Sequence, residues 1–407
     1  MSQSQNNALY QSLASLWEQA QIDHQARRVE DLHWLCHDPN LFLLGEPIGR
    51  FGRNRPERAI SSTLSTLTPP LWHRWVWSKI LAEVIRTFKA RTHDFIALND
   101  SETEWFYRIL HDILSQSAPR LRDFSFQDIF SFLSRALALF LTTKGLNPDL
   151  FHSEKLAHKT LCLELFEQVT EEFWGYPQFL SLSLYLSTRA NWLDVADPGY
   201  HDFLQSFPEE VNRVLDDFAE IEDQILYNPY FQFTPFRNHL ESGSQHILYE
   251  TDNHGEVVLD FLLIRYLLDQ GHRVTVIPKK EPILNDVTIH DLDTLMKETS
   301  FHVFQPYLES GQLQYFHCNA AVTGKDLFSV GKRYQDVYAD CDLVYLKGQG
   351  HFQSMPMGYF RSGKMVPFKY KKPVVHSMVV KTPYIQRTLS NYLRHSFNRG
   401  DLALFVV

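Results

Sequence analysis

The sequence predicts an α/β protein, a Rossmann-like doubly wound sheet over residues 245–407 preceded by a large helical domain or cap over 1–244. Three observations predict it. Up to about Ser244, apolar residues recur at three- and four-residue intervals, the period of a helix with one buried face. After SGSQ the pattern turns to short β-rich runs that alternate with helical stretches or loops. The length, 407 residues, suits two domains or one with an elaborate cap.

In chain order, LYQSLASLWEQAQ, LWHRWVWSKILAEVIRTFKA (71–90), WFYRILHDILSQ, FQDIFSFLSRALALFL and SEKLAHKTLCLELFEQVTEEFW read as helices. DPN, TPP, SAP and NPD punctuate them as turns. Their Trp and Phe content marks a thick helical layer whose aromatics belong to a core. HILYET opens the second part as a strand, and VVLDFLLIRYLLDQG follows as a helix closed by Gly271. HRVTVI, LQYFHC, DLVYLK, PVVHSMVV and LALFVV continue the strand series, and such alternation predicts a parallel sheet. NHLESGSQ (238–245) is the expected junction and the expected site of proteolytic nicking.

Composition narrows the functional classes. Hydrophobic residues make up 44% and charged residues 21%, the balance of a globular chain with a sizeable core. No apolar run reaches the roughly 18–20 residues of a membrane span, and the N-terminus has no signal-peptide pattern, so a cytoplasmic protein without membrane partners is expected. Cys36, Cys162, Cys318 and Cys341 are scattered and predict buried thiols rather than a zinc or disulfide framework. The net charge of −9 divides unevenly: from His246 onward 18 basic face 16 acidic residues, leaving −11 on the rest. An acidic chain of this kind is a poor nucleic-acid partner, whereas the slightly positive second part suits a small anion.

The chemistry gathers at the ends of the strands. In open α/β sheets, ligands bind beyond the carboxyl ends of the strands, where helix N-termini favour anions. Asp252 and Asn253 follow the first strand, and Gly255 lets the chain turn into a helix. Such a pair either supplies hard oxygen ligands for Mg²⁺ or Mn²⁺, or Asp252 caps the helix. The loop after the second strand repeats the pattern with Asn285 and Asp286, and two such pairs on neighbouring loops are harder to ascribe to capping. DLVYLK ends in Lys347, with Gly348 and Gly350 behind it to bring backbone amides near a phosphate. Lys381 ends PVVHSMVV in the same manner. Glu256 and Asp260 stand one turn apart on the first helix, the former suited to the helix dipole and the latter needing a partner in an apolar helix.

These residues resemble the damage-control phosphatase family, long known as domain of unknown function 89. DNHGEVVLD, PILNDVT, KGQGHF and the strand-terminal lysine carry the resemblance in order through the last 160 or so residues, and STRANWLD matches the family's N-x-x-D element at Asn191 and Asp194. The resemblance implies a helical part around an α/β core with one divalent ion, Mn²⁺, Mg²⁺, Co²⁺ or Ni²⁺. It implies that Asp252, Asn253 and Asp286 ligate the metal and that Lys347 and Lys381 hold the phosphate. Asn191, Asp194, Asn285, Gly348 and Gly350 are then expected near the substrate, a small phosphometabolite such as a sugar phosphate or damaged cofactor precursor. The pattern departs from the family at His351, where Asn is common, and at Gln353, where an acid is common. R-T-F-K at Arg86, Thr87 and Lys89 imitates a subfamily motif in the wrong part of the chain.

The expected reaction is hydrolysis of a phosphate monoester, by a water made acidic on the ion or by Asp252 as carboxylate nucleophile. Two rivals stand beside it. A non-catalytic metal- and phosphate-binding protein would tolerate His351 and Gln353. An S-adenosylmethionine-dependent carboxyl methyltransferase would want a glycine-rich first loop and an acid ending the second strand, where PKKEP stands instead. A dinucleotide oxidoreductase is excluded by the missing G-x-G-x-x-G. Oligomeric state is not encoded in any feature of the chain.

Overall fold

The computed structural model describes residues 3–25, 33–35, 46–47, 89, 100–116, 126–195, 197, 199–319, 322–355, 358–361 and 364–407. The helix expected over 71–90 lies outside these residues except for Lys89, as do Cys36, Arg86 and Thr87. Helices α1 (Gln3–Gln25), α2 (Asp100–Gln116), α3 (Phe126–Thr143), α4 (His152–Phe173), α5 (Phe179–Ala190), α6 (Tyr200–Asp216), α7 (Phe218–Tyr227) and α8 (Phe233–Leu240) precede the sheet. Then come β1 (His246–Glu250), α9 (His254–Asp269), β2 (Arg273–Ile277), α10 (Ile289–Leu295), α11 (Gln305–Ser310) and β3 (Leu313–Tyr315). The chain closes with α12 (Lys332–Asp340), β4 (Leu343–Lys347), α13 (Gly348–Ser354), β5 (Val374–Val379), α14 (Pro383–Leu393) and β6 (Leu402–Val406).

The six strands stand in the order β3-β2-β1-β4-β5-β6. The first five are parallel and the order reverses beside β1, which makes the β1 edge the topological switch point of a doubly wound sheet. The strand β6 is antiparallel to β5, contrary to the all-parallel expectation. The reason lies in the return loop: Val380 N–H donates to Asp401 O and Gly400 N–H to Val380 O, so the chain re-enters from the same edge it left. Gly358–Arg361 and Lys364–Pro367 pair antiparallel, and the former also pairs with Glu46–Pro47.

β1, β4 and β5 are buried on both faces, which is why their sequences run apolar rather than alternating. The helix α9 lies between the sheet and α4 and α5, so apolar side chains cover nearly all its faces. Gly255 sits within α9 rather than in a turn. A Cβ there would fall 2.6 Å from the Cβ of His158, so its bareness is what lets α4 approach. One apolar core runs from Cys162 in α4 through α5–α8 to the sheet, crossing the 244/245 boundary without a break. A separate cluster joins α1, α2 and α3 around Trp17, Phe106 and Phe140. Cys162, Cys318 and Cys341 are buried free thiols. Among the described residues no helix is long and apolar enough to cross a membrane.

Candidate active site

Backbone hydrogen bonds splice the two loops that follow β1 and β2. His254 N–H donates to Asn285 O at 2.8 Å and Val287 N–H to Asp252 O at 2.9 Å, and Asn253 and Asp286 form an antiparallel bridge between them. Both Asx pairs are thereby brought to the carboxyl edge at the switch point. Leu284, immediately before Asn285, holds a φ of 47° that a branched side chain rarely adopts. Its side chain packs against Phe151, Val195 and Tyr200 of the helical part, which keeps the loop in that conformation.

The capping role falls to Asn253, not to Asp252. Asn253 is the N-cap of α9 in a reciprocal box with Glu256, whose carboxylate also accepts the Asn253 amide at 2.8 Å. Asp252 Oδ2 accepts the Asn191 amide at 2.9 Å and the Asn253 amide at 3.3 Å. Burial raises the Asp252 carboxyl well above its ordinary range, and the charges of Asp286 and Glu256 add to this against the opposing pull of Lys381. Asp286, raised to about 6 chiefly by burial, keeps Oδ2 buried with no hydrogen-bond partner and 3.7 Å from the ammonium of Lys279. Asn285 donates to Leu193 O at 2.8 Å, and its own side-chain oxygen is buried and unmatched.

The lysines divide by role. Lys347 is fully buried, and its ammonium meets Ser187 O at 2.7 Å, Ser187 Oγ at 2.9 Å, Glu256 at 3.0 Å and Asp260 at 3.1 Å. An ammonium has three protons, so this set leaves none for a phosphate. The phosphate contact read from the sequence is therefore replaced here by a charge-compensating one, and Asp260 has found the partner its apolar helix demanded. Lys381 pairs with Asp194 at 2.9 Å, bringing in the N-x-x-D element. Lys279, unmarked by the sequence reading, donates to Gly324 O at 2.7 Å beside Asp286. Its signal was its place two residues past the end of β2.

The two glycines serve close packing. A Cβ on Gly348, whose φ is +77°, would fall 1.9 Å from Asp252 Oδ2, so the carboxylate lies where a side chain would be. Gly350 and Gly324 face each other, and a Cβ on Gly324 would fall 2.1 Å from Gly350 O. His351 sits beneath the site, its Nδ1 on Lys347 O at 2.7 Å and burial holding its pKa down at about 4. Gln353 lies on α13, partly buried and in contact with its surroundings.

When ionised, Asp194, Asp252, Asp286, Glu256 and Asp260 carry five negative charges against the three positive charges of Lys279, Lys347 and Lys381. The surplus of two in a buried place calls for a dication or for protons. Among the described residues no three His, Cys, Asp or Glu side chains form a metal cage by themselves, so the donor set on offer is Asp252, Asp286 and the oxygen of Asn253. Hard oxygen donors with one orphaned carboxylate oxygen fit a small divalent ion.

The fold and this edge define an α/β protein with an acidic, lysine-flanked, oxygen-rich site at the switch point of its sheet. The chain belongs to the damage-control phosphatase family, since the family model described as the damage-control phosphatase ARMT1-like domain matches residues 73–381. It is similar to the damage-control phosphatase PH1575 of Pyrococcus horikoshii, with 26% identity over 152 residues, which is 37% of this chain and 45% of that protein. The match thus spans about half the length of that relative. The crystal structure of the same archaeal protein, titled as a DUF89 family protein, superposes with a TM-score of 0.52 at 16% identity over 83% of this chain and 98% of that one. At that identity the likeness shows the fold.

Proposed function

We propose that this protein is a metal-dependent phosphatase that hydrolyses a small phosphate monoester, a sugar phosphate or damaged cofactor precursor. The observation that carries the reading is the convergence of Asp252 and Asp286, both buried, with an Asp286 oxygen that no protein donor satisfies. Asp252, Asn253 and Asp286 would hold one Mn²⁺, Mg²⁺, Co²⁺ or Ni²⁺ ion. Such an ion, when bound, polarises a phosphoryl oxygen and acidifies water.

The chain's own residues do the rest. Asn191 and Gly348 fix Oδ2 of Asp252, which leaves the other oxygen of that carboxylate for the ligand. Lys381 and Lys279 stand at the rim of the acidic cluster and would meet the charge that develops on the phosphate. Lys347 neutralises Glu256 and Asp260 below, so that the buried acids near Asp252 do not repel an anionic substrate.

A panel of phosphometabolites assayed with each of the four metals tests the reading. Turnover by the wild type, lost with metal binding in Asp286→Asn, is expected. If none of the metals supports hydrolysis of any ester, the reading fails. Binding of metal and phosphate without turnover would leave a non-catalytic binding protein.

A further inference from the structure

Beside the sheet edge lies a cavity of about 510 Å³ between α5, α6, the end of α7 and the start of β6. None of the metal-site candidates lines it. Tyr185, Arg189 and Trp192, from α5 and the turn behind it, form one wall, with Glu210 and Arg213 of α6 opposite. The rings of Tyr185, Trp192, Phe203 and Phe231 supply its apolar part, with the Arg189 guanidinium over Trp192 and Phe203, and polar groups in such a pocket set a ligand's orientation.

The polar groups are unevenly matched. The acids are each engaged by the protein: Glu210 takes a forked pair of bonds from Arg189, and Oδ2 of Asp401 accepts Asn398 N–H at 2.7 Å. The donors are not. Among the described residues the exposed guanidinium of Arg213 and the indole N–H of Trp192 make no hydrogen bond. The same holds for the amide nitrogen of Asn228, whose oxygen accepts Tyr230 N–H at 2.8 Å. A cavity with aromatic residues in its wall, acids engaged by protein donors and spare donors beside them is complementary to an organic anion with a flat apolar body.

We propose that this cavity is a second small-molecule site, which takes a planar organic anion with its charged group on Arg213 and its ring against Trp192. Trp192 directly follows Asn191, the residue that holds Asp252. An occupant would therefore rest against the turn that positions the candidate metal ligand.

The test is calorimetric titration of the full-length protein with naphthoate, and with naphthalene methanol as an uncharged match in shape. One naphthoate per chain is expected, with binding about tenfold weaker or more for the alcohol and for Arg213→Gln, as loss of a charge-assisted contact implies. Asp252→Asn, which alters only the candidate metal site, should leave naphthoate binding unchanged whether or not the protein proves to be a phosphatase. Absence of saturable binding overturns the proposal, as does equal affinity for the alcohol. Binding that disappears in Asp252→Asn but survives in Arg213→Gln places the anion at the metal site and equally overturns it.

Discussion

The side chain of Asn191 joins the helical part to the sheet at the point where the chemistry is proposed. Its amide nitrogen donates to Asp252 Oδ2 and to Glu256 Oε2, each at 2.9 Å, and its oxygen accepts Val379 N–H at 3.2 Å. The residue is completely buried, with all its stated partners in the α/β part. Its expected place on the substrate becomes a place behind the candidate metal ligand.

Asn191→Leu keeps the volume and removes these bonds. Residues that orient ligands typically contribute roughly 10–100-fold in metal affinity. A loss of that size in Mn²⁺ titrations, with the helical circular dichroism retained, is expected. Wild-type affinity in this variant would show that Asp252 is held without it.

Gly348→Ala tests the approach of the backbone to Asp252. The new Cβ would collide with Oδ2, and the positive φ costs roughly 1–3 kcal/mol for a residue other than glycine. Denaturant titration should show that loss of stability, and metal binding should weaken with it. Gly350→Ala instead presses on Gly324, so it should disturb stability with less effect on the metal.

The three lysines separate by readout. Lys347→Met leaves Glu256 and Asp260 without their shared counter-charge and should destabilise the fold by roughly 3–5 kcal/mol, the usual consequence of breaking a buried pair. Lys279→Met and Lys381→Met should melt closer to the wild type and cut kcat/KM by on the order of 10²-fold at saturating metal. If Lys347→Met is as stable as the wild type, the acids beneath the site are protonated and need no cation.

His376 predicts an acid-sensitive fold. It stacks on Phe405 and meets Phe352 edge to face, neither ring nitrogen has a hydrogen-bond partner, and burial holds its pKa down at about 3. Between the ordinary histidine value near 6.5 and that depressed value, the unfolded chain binds a proton that the folded one refuses. Stability from this residue is therefore complete above about pH 6.5 and falls as the pH drops, by about 1.4 kcal/mol per unit. His376→Phe should flatten the dependence of denaturation free energy on pH between 6 and 4 by about one proton's worth. An unchanged slope would assign the acid sensitivity to His158, His254 and His351, which burial also depresses.

The local pattern alone determined the change from helices to a sheet near residue 245, because period is a property of neighbours along the chain. It located the six strands of the main sheet and placed Asp252, Asn253, Asn285 and Asp286 at strand ends. Alternation of strands with helices could not show that β6 returns antiparallel, since that depends on where the 380–401 segment re-enters the sheet. Nor could it show that the helical and α/β parts share one core.

For the site, residue type and position after a strand singled out the acids, the amides and two lysines. Only the tertiary structure decided which atom each of them meets. Lys347 ends its strand as a phosphate-binding lysine would, yet Ser187 of α5 and two acids of α9 surround its ammonium. Lys279, inconspicuous in a run of charged residues, stands beside Asp286 because the β2 loop folds back on Asp252 and Gly324 closes over it. Hydrogen bonds and ion pairs act over about 3–4 Å. The contacts that assign these roles join residues up to 188 positions apart in the chain, and no local pattern records them.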